Sequence, residues 1–251
     1  MGLIMIYKAR SGQASYGEAI GILLLDCFTP FISGDVANAT TYCFPVRFQK
    51  VEGLTTKRVL GKDPTAFELL FVAAEELVSQ GVRAITGDCG FLAVHQRRLA
   101  AVLEVPVFLS SLLQIPFIFS ILGSDQKVGI ITADSKSLDE TLLEAAGVRS
   151  GERLVIRGME DRENFSKAVI QETGFLDSEK VKREALSVAR EMVEEEQNVR
   201  AILLECSCLP PYARAIQKAI ELPVFDYVTM INYVHSALVK ESFEGKIRSE
   251  A

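Results

Sequence analysis

The sequence predicts an α/β protein with two pseudo-symmetric parallel-sheet lobes from a tandem duplication and a cleft between them. A cysteine follows the same Arg-Ala-Ile lead-in twice, and each half contains an apolar run with an early glycine and a terminal Asp. Predicted strands also alternate with predicted helices along the chain. A repeat separated by 117 positions indicates a duplicated domain, because solenoid repeats have periods of about 20–50 residues.

The repeat around the cysteines aligns residues 83–108 with residues 200–225 without a gap. The first segment begins RAITGDCGFL, the second begins RAILLECSCL, and both end in Pro-Val-Phe. Ten of the 26 aligned positions are identical, and Asp88 lies opposite Glu205. Because all matches share one register, duplication explains them better than chance.

Apolar strands are predicted near the start of each half. Residues 20–26 read IGILLLD and residues 128–134 read VGIITAD, and such continuous apolar runs are typical of buried parallel strands. Apolar residues at spacings of three and four then predict helices over 64–81 and 178–198. Strands that alternate with helices of this length favour a parallel sheet with helices on both faces.

The chain is expected to pass from the first lobe to the second and to return to the first. A helix at about 111–122 is predicted to cross from the first lobe to the second, and a helix at about 227–240 to cross back. The first lobe would then comprise residues 1–117 plus 227–251, and the second lobe residues 118–226.

Cys89 and Cys206 are predicted to lie where a strand ends and a helix begins, the edge at which open α/β sheets bind ligands. Amide N–H groups at a helix start stabilise an anion, so we expect these thiols to ionise easily and nearby amides to hold a carboxylate. Two opposed thiols could remove a proton from one face of a carbon acid and deliver one to the other. The alternative is that both are small buried apolar residues.

Composition narrows the function classes. The formal net charge is −6 and no basic run occurs, which argues against nucleic acid as a partner. No signal-peptide pattern is present, which favours the cytoplasm and reduced cysteines. The uncharged residues 105–123 contain two prolines, so a buried strand and helix explain them better than a membrane span. With no Cys-x-x-Cys and two histidines, we expect no metal.

At its cysteine motifs the sequence resembles the aspartate/glutamate racemase superfamily, which includes hydantoin racemases, maleate isomerases and arylmalonate decarboxylases. The resemblance covers nearly the whole chain and implies two α/β domains, no cofactor and a homo-oligomer. It places catalytic cysteines at Cys89 in GDCGFL and Cys206 in LECSCLPPYA. Asp26 in ILLLDCF stands where family members carry an acidic residue, so it is expected to tune a thiol; the alternative is a strand-end Asp that caps the next loop.

Gly90-Phe91 and Ser207-Cys208 replace the Asn-Thr and Thr-His that amino-acid racemases of this family usually carry. Phe91 favours a partly apolar substrate, and the amides of Gly90 and Ser207, with the Ser207 hydroxyl, are expected to hold its carboxylate. Cys208 is predicted to be non-catalytic because its counterpart is Phe91.

The expected function is a cofactor-independent racemase or epimerase that acts on a small carboxylate or amino-acid-like substrate through two cysteines. A decarboxylase or a cis–trans isomerase of the same superfamily stays open as an alternative. So does a non-catalytic two-lobed protein that binds a carboxylate, since a cleft of this kind can bind without turnover.

Two further features concern the cleft. Asp88 and Glu205 precede the cysteines, and strand alternation predicts that they point away from the cysteine face. Their candidate partners are the repeat's arginines Arg83, Arg97, Arg200 and Arg214. The segment 27–40 is long for a strand connection, so we expect it to cover the cleft.

Overall fold

The structure is a computed structural model that describes residues 8–9, 11–148 and 153–242. Its strands form two parallel sheets in two α/β lobes, which confirms the predicted fold class. The strands are β1 Ile20–Leu24, β2 Val46–Lys50, β3 Ala84–Gly87, β4 Lys127–Thr132, β5 Leu154–Gly158, β6 Val199–Leu204 and β7 Val224–Phe225.

Helices connect the strands and cover the sheets. The α-helices within the described residues are α1 Thr56–Leu60, α2 Ala66–Ser79, α3 Gln96–Val102, α4 Ile115–Ile121, α5 Glu140–Ala145, α6 Glu163–Phe165, α7 Ser178–Glu195, α8 Pro210–Ile220 and α9 Tyr227–Leu238. Short 3-10 helices cover Ala39–Thr41, Gly90–His95 and Ser111–Gln114, and a π-helical turn covers Ser166–Ile170. Asp177 and Asp226 cap α7 and α9 by accepting a hydrogen bond from a backbone N–H of the first turn.

Both sheets repeat one arrangement at their centre. The strand order is β2-β1-β3 in the first sheet and β5-β4-β6-β7 in the second. In each, the first strand of the half pairs in parallel with the strand that leads to the cysteine: Ile20 lies opposite Ala84, and Val128 opposite Ala201. The duplication is therefore visible as equivalent pairs, β1 with β3 and β4 with β6.

A glycine lets a helix approach each central strand closely. A Cβ on Gly129 would lie 2.2 Å from the Met192 sulfur of α7. The equivalent Gly21 has Leu77 of α2 at 3.0 Å from the same position. The early glycine of each apolar run thus has a packing reason, since a side chain there would push the helix off the sheet.

Some predicted elements have different ends in the structure. The helix expected to begin at or just after Cys89 starts as the 3-10 helix at Gly90, and α3 follows it. The helix expected at about 111–122 is divided between a 3-10 turn and α4, whose first turn contains Pro116, where a missing N–H breaks no helical bond. Residues around Val107 make one bridge to Ile85 instead of a full strand.

The C-terminal helix packs on the first sheet. Tyr227 and Ile231 of α9 share a buried core with Ile20 and Ile22 of β1. This contact agrees with a helix that returns to the first lobe, while the boundaries 1–117 plus 227–251 and 118–226 stay a prediction. Residues 1–7, on which the signal-peptide interpretation rests, and residues 243–251 lie outside the described residues.

The uncharged segment 105–123 folds into the short elements around α4, and Ile115 and Ile118 of that helix are buried. None of the helices in the described part of the chain combines the length and apolarity that a bilayer span requires.

Candidate active site

The two repeated cysteines lie at the carboxyl ends of equivalent strands. The Asp88 N–H donates to the Leu23 carbonyl at 3.1 Å, and the Glu205 N–H donates to the Ile131 carbonyl at 2.8 Å. These bonds extend the β1–β3 and β4–β6 pairings by one residue and fix the next residue, Cys89 or Cys206, at the sheet edge. Cys89 is also the N-cap residue of the 3-10 helix Gly90–His95.

One cavity between the lobes brings most of the predicted site together. Cys89, Gly90, Phe91, Cys206 and Ser207 all line it. The remaining lining residues are Leu25, Cys27, Thr29, Phe31, Thr56, Leu60, Asp88, Ala133, Val169, Ile170, Glu205 and Cys208. None of the described residues that line this cavity is a lysine, arginine or histidine.

Asp26 does not join this cavity. Its Oδ2 accepts a hydrogen bond from the Gly53 N–H at 3.0 Å, and its Oδ1 lies 3.3 Å from Lys50 Nζ. The Gly53 bond, followed by the Lys50 contact, lowers the pKa of the Asp26 carboxyl. The structure therefore places Asp26 outside the cavity as a strand-end carboxylate that ties down the loop after β2, whereas the alternative expected it to cap the loop that follows β1.

The Ser207 hydroxyl already makes a hydrogen bond within the protein. It donates to the backbone carbonyl of Asp88 and so joins the two lobes. Its single proton is therefore not free for a substrate carboxylate, contrary to the expectation from sequence. The Ser111 hydroxyl makes a second link, donating to the Leu204 carbonyl at 3.0 Å.

Asp88 and Glu205, the acidic residues before the cysteines, bond to groups of the site and not to the arginines expected from sequence. Both carboxyl oxygens of Asp88 accept from the Leu25 N–H at 3.1 Å, and Glu205 Oε2 accepts from the Thr132 hydroxyl at 2.7 Å. Both side chains line the cavity, so the expected orientation away from it and the expected arginine partners are wrong. The chain leaves the strand geometry at these residues, and strand alternation no longer governs their direction.

Burial dominates the charge state of these acids. It raises the pKa of Asp88 to about 8 and that of Glu205 to about 7, against the opposing hydrogen bonds from Leu25 and Thr132. Both carboxyls therefore take up a proton at a higher pH than an exposed carboxyl does.

The Cys89 thiol is also shifted upward. Burial, followed by the nearby charges of Glu205 and Asp88, raises its pKa well above the ordinary value, although the Phe91 N–H opposes this. The sequence-based expectation of an easily ionised thiol is wrong for Cys89. A short 3-10 turn supplies too little positive potential to offset full desolvation beside two carboxyls.

Three cavity residues or neighbours were missed from sequence. Cys208 lines the cavity; interaction with the Cys206 side chain and then burial raise the pKa of Cys208 well above its usual range, and the buried Asp35 adds to this. Burial also raises the pKa of Cys27, another lining residue, to about 12. The Cys-Ser-Cys spacing was the available signal, because residues two apart in a turn can face one site.

The segment 27–40 covers the cavity, as predicted. Thr29 and Phe31 line it, and the Phe28 N–H donates to Glu172 of the other half at 3.0 Å. Farther along, the Val36 N–H reaches the Ser207 carbonyl at 3.5 Å. The segment leaves the first sheet and is held against the second lobe.

Within the described residues no group of three or more His, Cys, Asp or Glu side chains is arranged to hold a metal ion.

Comparison with known proteins identifies the relatives of this chain, although no protein-family profile matches it. The chain is 32% identical over 222 residues to a dimethylsulfoniopropionate lyase of Durusdinium sp. clade D, covering 86% of the chain and 73% of that protein. It is 33% identical over 231 residues to dimethylsulfoniopropionate lyase 3 of Emiliania huxleyi, covering 88% of the chain and 60% of the relative. The chain thus spans about 60% of the length of that relative.

Solved structures share the fold at low identity. A sulfate-associated mutant of arylmalonate decarboxylase superposes with a TM-score of 0.57 at 15% identity, covering 87% of this chain and 92% of that one. Allantoin racemase from Pseudomonas fluorescens gives 0.56 at 18% identity, with 87% and 90% covered. Glutamate racemase from Bacillus anthracis gives 0.54 at 12% identity, with 89% and 84% covered. The fold is that of the aspartate/glutamate racemase superfamily.

These comparisons correct the expected function. The relatives with substantial sequence identity are named as lyases, so the expectation of a racemase or epimerase is wrong. The error came from the pair of thiols, since retention of both does not by itself distinguish the reactions that this fold supports. Of the readings left open, a lyase is the one that the relatives favour. The chain belongs to the dimethylsulfoniopropionate lyase family, a family of enzymes, and carries the fold of the aspartate/glutamate racemase superfamily.

Proposed function

We propose that this chain is a lyase that eliminates dimethyl sulfide from dimethylsulfoniopropionate and leaves acrylate. The substrate carries a positive sulfonium two carbons from a carboxylate. Removal of a proton from the carbon next to the carboxylate, with loss of the sulfur group from the next carbon, forms the double bond. The names of the relatives support this choice of substrate.

The observation that carries the proposal is the chemistry of the cavity lining. Two strand-end thiols lie there beside Asp88 and Glu205, and the described lining residues include no basic side chain. Such a lining offers no basic side chain to pair with a substrate that is only anionic, and Asp88 and Glu205 attract a cation in their ionised forms. Phe91 and Phe31 also line the cavity, and aromatic rings attract an onium group.

In the proposed reaction Cys206 is the base. It lines the cavity just past the carboxyl end of β6, at the strand-end position equivalent to that of Cys89. The Cys206 thiolate takes the proton, the C–H electron pair becomes the new π bond, and the C–S electron pair leaves with sulfur as neutral dimethyl sulfide. Cys206 then returns its proton to solvent, so no other reactant is consumed.

Cys89 has a different role in this proposal. Its raised pKa keeps it a thiol, which can donate a hydrogen bond to the substrate carboxylate as charge develops there. The amides of Gly90 and Ser207 are proposed to hold the same carboxylate. Elimination needs a base on only one face of the substrate. It is therefore compatible with two thiols whose surroundings differ, one acting as the base and the other staying protonated.

The test is release of dimethyl sulfide from the purified chain, measured by headspace gas chromatography, with acrylate measured by liquid chromatography. We expect Cys206→Ser to lose about 10²–10⁴-fold in kcat, the usual contribution of a general base. We expect Cys89→Ala to lose about 10–100-fold, the contribution of one hydrogen bond to a developing charge.

Cys43→Ser is the matched control, because Cys43 is exposed and outside the cavity. It should keep wild-type activity. A folded wild-type chain that releases no dimethyl sulfide, or a Cys206→Ser variant as active as Cys43→Ser, would contradict the proposal.

A further inference from the structure

The Glu205 carboxylate has one oxygen without a partner. The side chain is fully buried, and its Oε2 accepts from the Thr132 hydroxyl at 2.7 Å. Its Oε1 has no hydrogen-bond partner and is one of two such buried side-chain atoms among the described residues. Buried polar atoms are nearly always paired, so an orphan oxygen on a residue that lines the cavity indicates a partner, a hydrogen-bond donor or a cation, that the described residues do not supply.

The orphan oxygen lies beside Gly90, across from its own lobe. A Cβ on Gly90 would be 1.8 Å from Glu205 Oε1, so the carboxylate occupies the space that a side chain at position 90 would need. Gly90 and Glu205 both line the cavity. In the other half the equivalent of Gly90 is Ser207, which has a side chain, so the first half alone leaves this room.

Asp88 and Glu205, which occupy equivalent positions in the repeat, differ in how many of their carboxyl oxygens accept hydrogen bonds. Asp88 directs both oxygens at the Leu25 N–H and closes its own loop. Glu205 is one methylene longer; its Oε2 accepts from Thr132, and its Oε1 lies beside Gly90, a residue of the cavity lining. Of the two, Glu205 is therefore the acid with an acceptor available to a ligand.

We propose that Glu205 is the residue that selects the substrate by its positive charge, with the sulfonium group bound beside Oε1. This inference rests on the proposed function and names the residue behind its substrate preference. A sulfonium has no N–H or O–H to donate, so it requires negative charge from Glu205 and not a hydrogen-bond acceptor of fixed geometry. A cation bound beside the carboxyl favours its ionised form and so opposes the burial that raises its pKa. No lysine, arginine or histidine of the described lining competes for that charge.

Two ligands of the same shape separate the effect of the sulfonium charge from the effect of size. Dimethylsulfoniopropionate and 4-methylpentanoate differ only in the exchange of the sulfonium centre for a CH group. Binding of each is measured by calorimetry in the Cys206→Ser background, where turnover does not interfere, with and without Glu205→Gln. Gln keeps the size and the acceptor for Thr132 and removes the charge.

The expected result is a preference for the sulfonium ligand that Glu205→Gln reduces about 10–100-fold, while 4-methylpentanoate binds as before. An equal loss for both ligands would mean that Glu205 only supports the structure, and an unchanged preference would mean that another group reads the charge. Either result overturns the proposal.

A second measurement avoids the Cys206 background. In the otherwise wild-type chain, Glu205→Gln should raise KM for dimethylsulfoniopropionate about 10–100-fold and leave the inhibition constant of 4-methylpentanoate unchanged. Thermal unfolding confirms that each variant is folded. Because the binding comparison requires no turnover, it separates failure of charge selection from failure of the proposed lyase function.

Discussion

Gly90→Ala tests the contact between the lobes most directly. The added methyl would lie 1.8 Å from Glu205 Oε1 and 2.6 Å from its Cδ, whereas ordinary contact begins at 3.4 Å. The carboxylate would have to move by about 1.6 Å, more than the 2.7 Å bond from Thr132 can absorb. Overpacking and one broken buried hydrogen bond together are expected to lower the free energy of unfolding by about 2–4 kcal/mol.

Urea denaturation followed by circular dichroism measures this loss in a double-mutant cycle. In a Glu205→Ala background the clash is gone, so Gly90→Ala should cost nothing there, and the coupling energy should exceed about 1 kcal/mol. Gly123→Ala is the matched control; Gly123 is exposed and its added methyl would meet only side-chain atoms at 3.3 Å, so the change should stay within about 0.5 kcal/mol. If Gly90→Ala cost the same with and without the Glu205 carboxylate, the reasoning about this contact would be refuted.

Two further predictions concern pH and the core. Burial raises the pKa of Glu205 from 4.5 to about 7 and that of Asp88 from 3.8 to about 8, so between these values the folded chain holds protons that the unfolded chain has released. The free energy of unfolding should therefore fall as the pH rises from about 5 to about 8, and it should fall less steeply in Glu205→Gln. Urea denaturation at several pH values measures this dependence, and a free energy of unfolding that rises over the same range would contradict the prediction. The Tyr227 hydroxyl donates to the Leu109 carbonyl at 2.7 Å in a fully buried site, so Tyr227→Phe should lose about 1–2 kcal/mol. Tyr233→Phe, in a side chain that is 76% exposed, should change stability by less than about 0.5 kcal/mol, and equal effects of the two substitutions would argue against this role of Tyr227.

Much of the fold was predictable because its signals are local. The apolar runs at 20–26 and 128–134 become β1 and β4, and the helical periodicity at 178–198 becomes α7 over Ser178–Glu195. The duplication then placed both cysteines at equivalent strand ends, which identified one edge of each sheet without any coordinates. Element ends were less predictable, since the 3-10 turn at Gly90 depends on how the chain packs against the other lobe.

The candidate site was only partly predictable. Five of the six proposed residues line one cavity, while Asp26, chosen by family position, turns to the Gly53 amide. Cys208 is predicted to be non-catalytic because Phe91 stands at its equivalent position in the repeat, yet it lines the same cavity. A repeat reveals what the two halves share, and the asymmetric residues of a cleft fall outside that comparison.

The sequence by itself determined the fold class, the duplicated halves and the two strand-end thiols, because hydrophobic periodicity and repeated residues act over short stretches of chain. Only the tertiary structure decided the charge states and the pairing across the cleft. Cys89 holds its proton because folding buries it next to Glu205 from the other lobe, and Gly90 is small because that same carboxylate fills its space. Desolvation and contact between residues more than a hundred positions apart arise only when the lobes meet, so no local pattern records them.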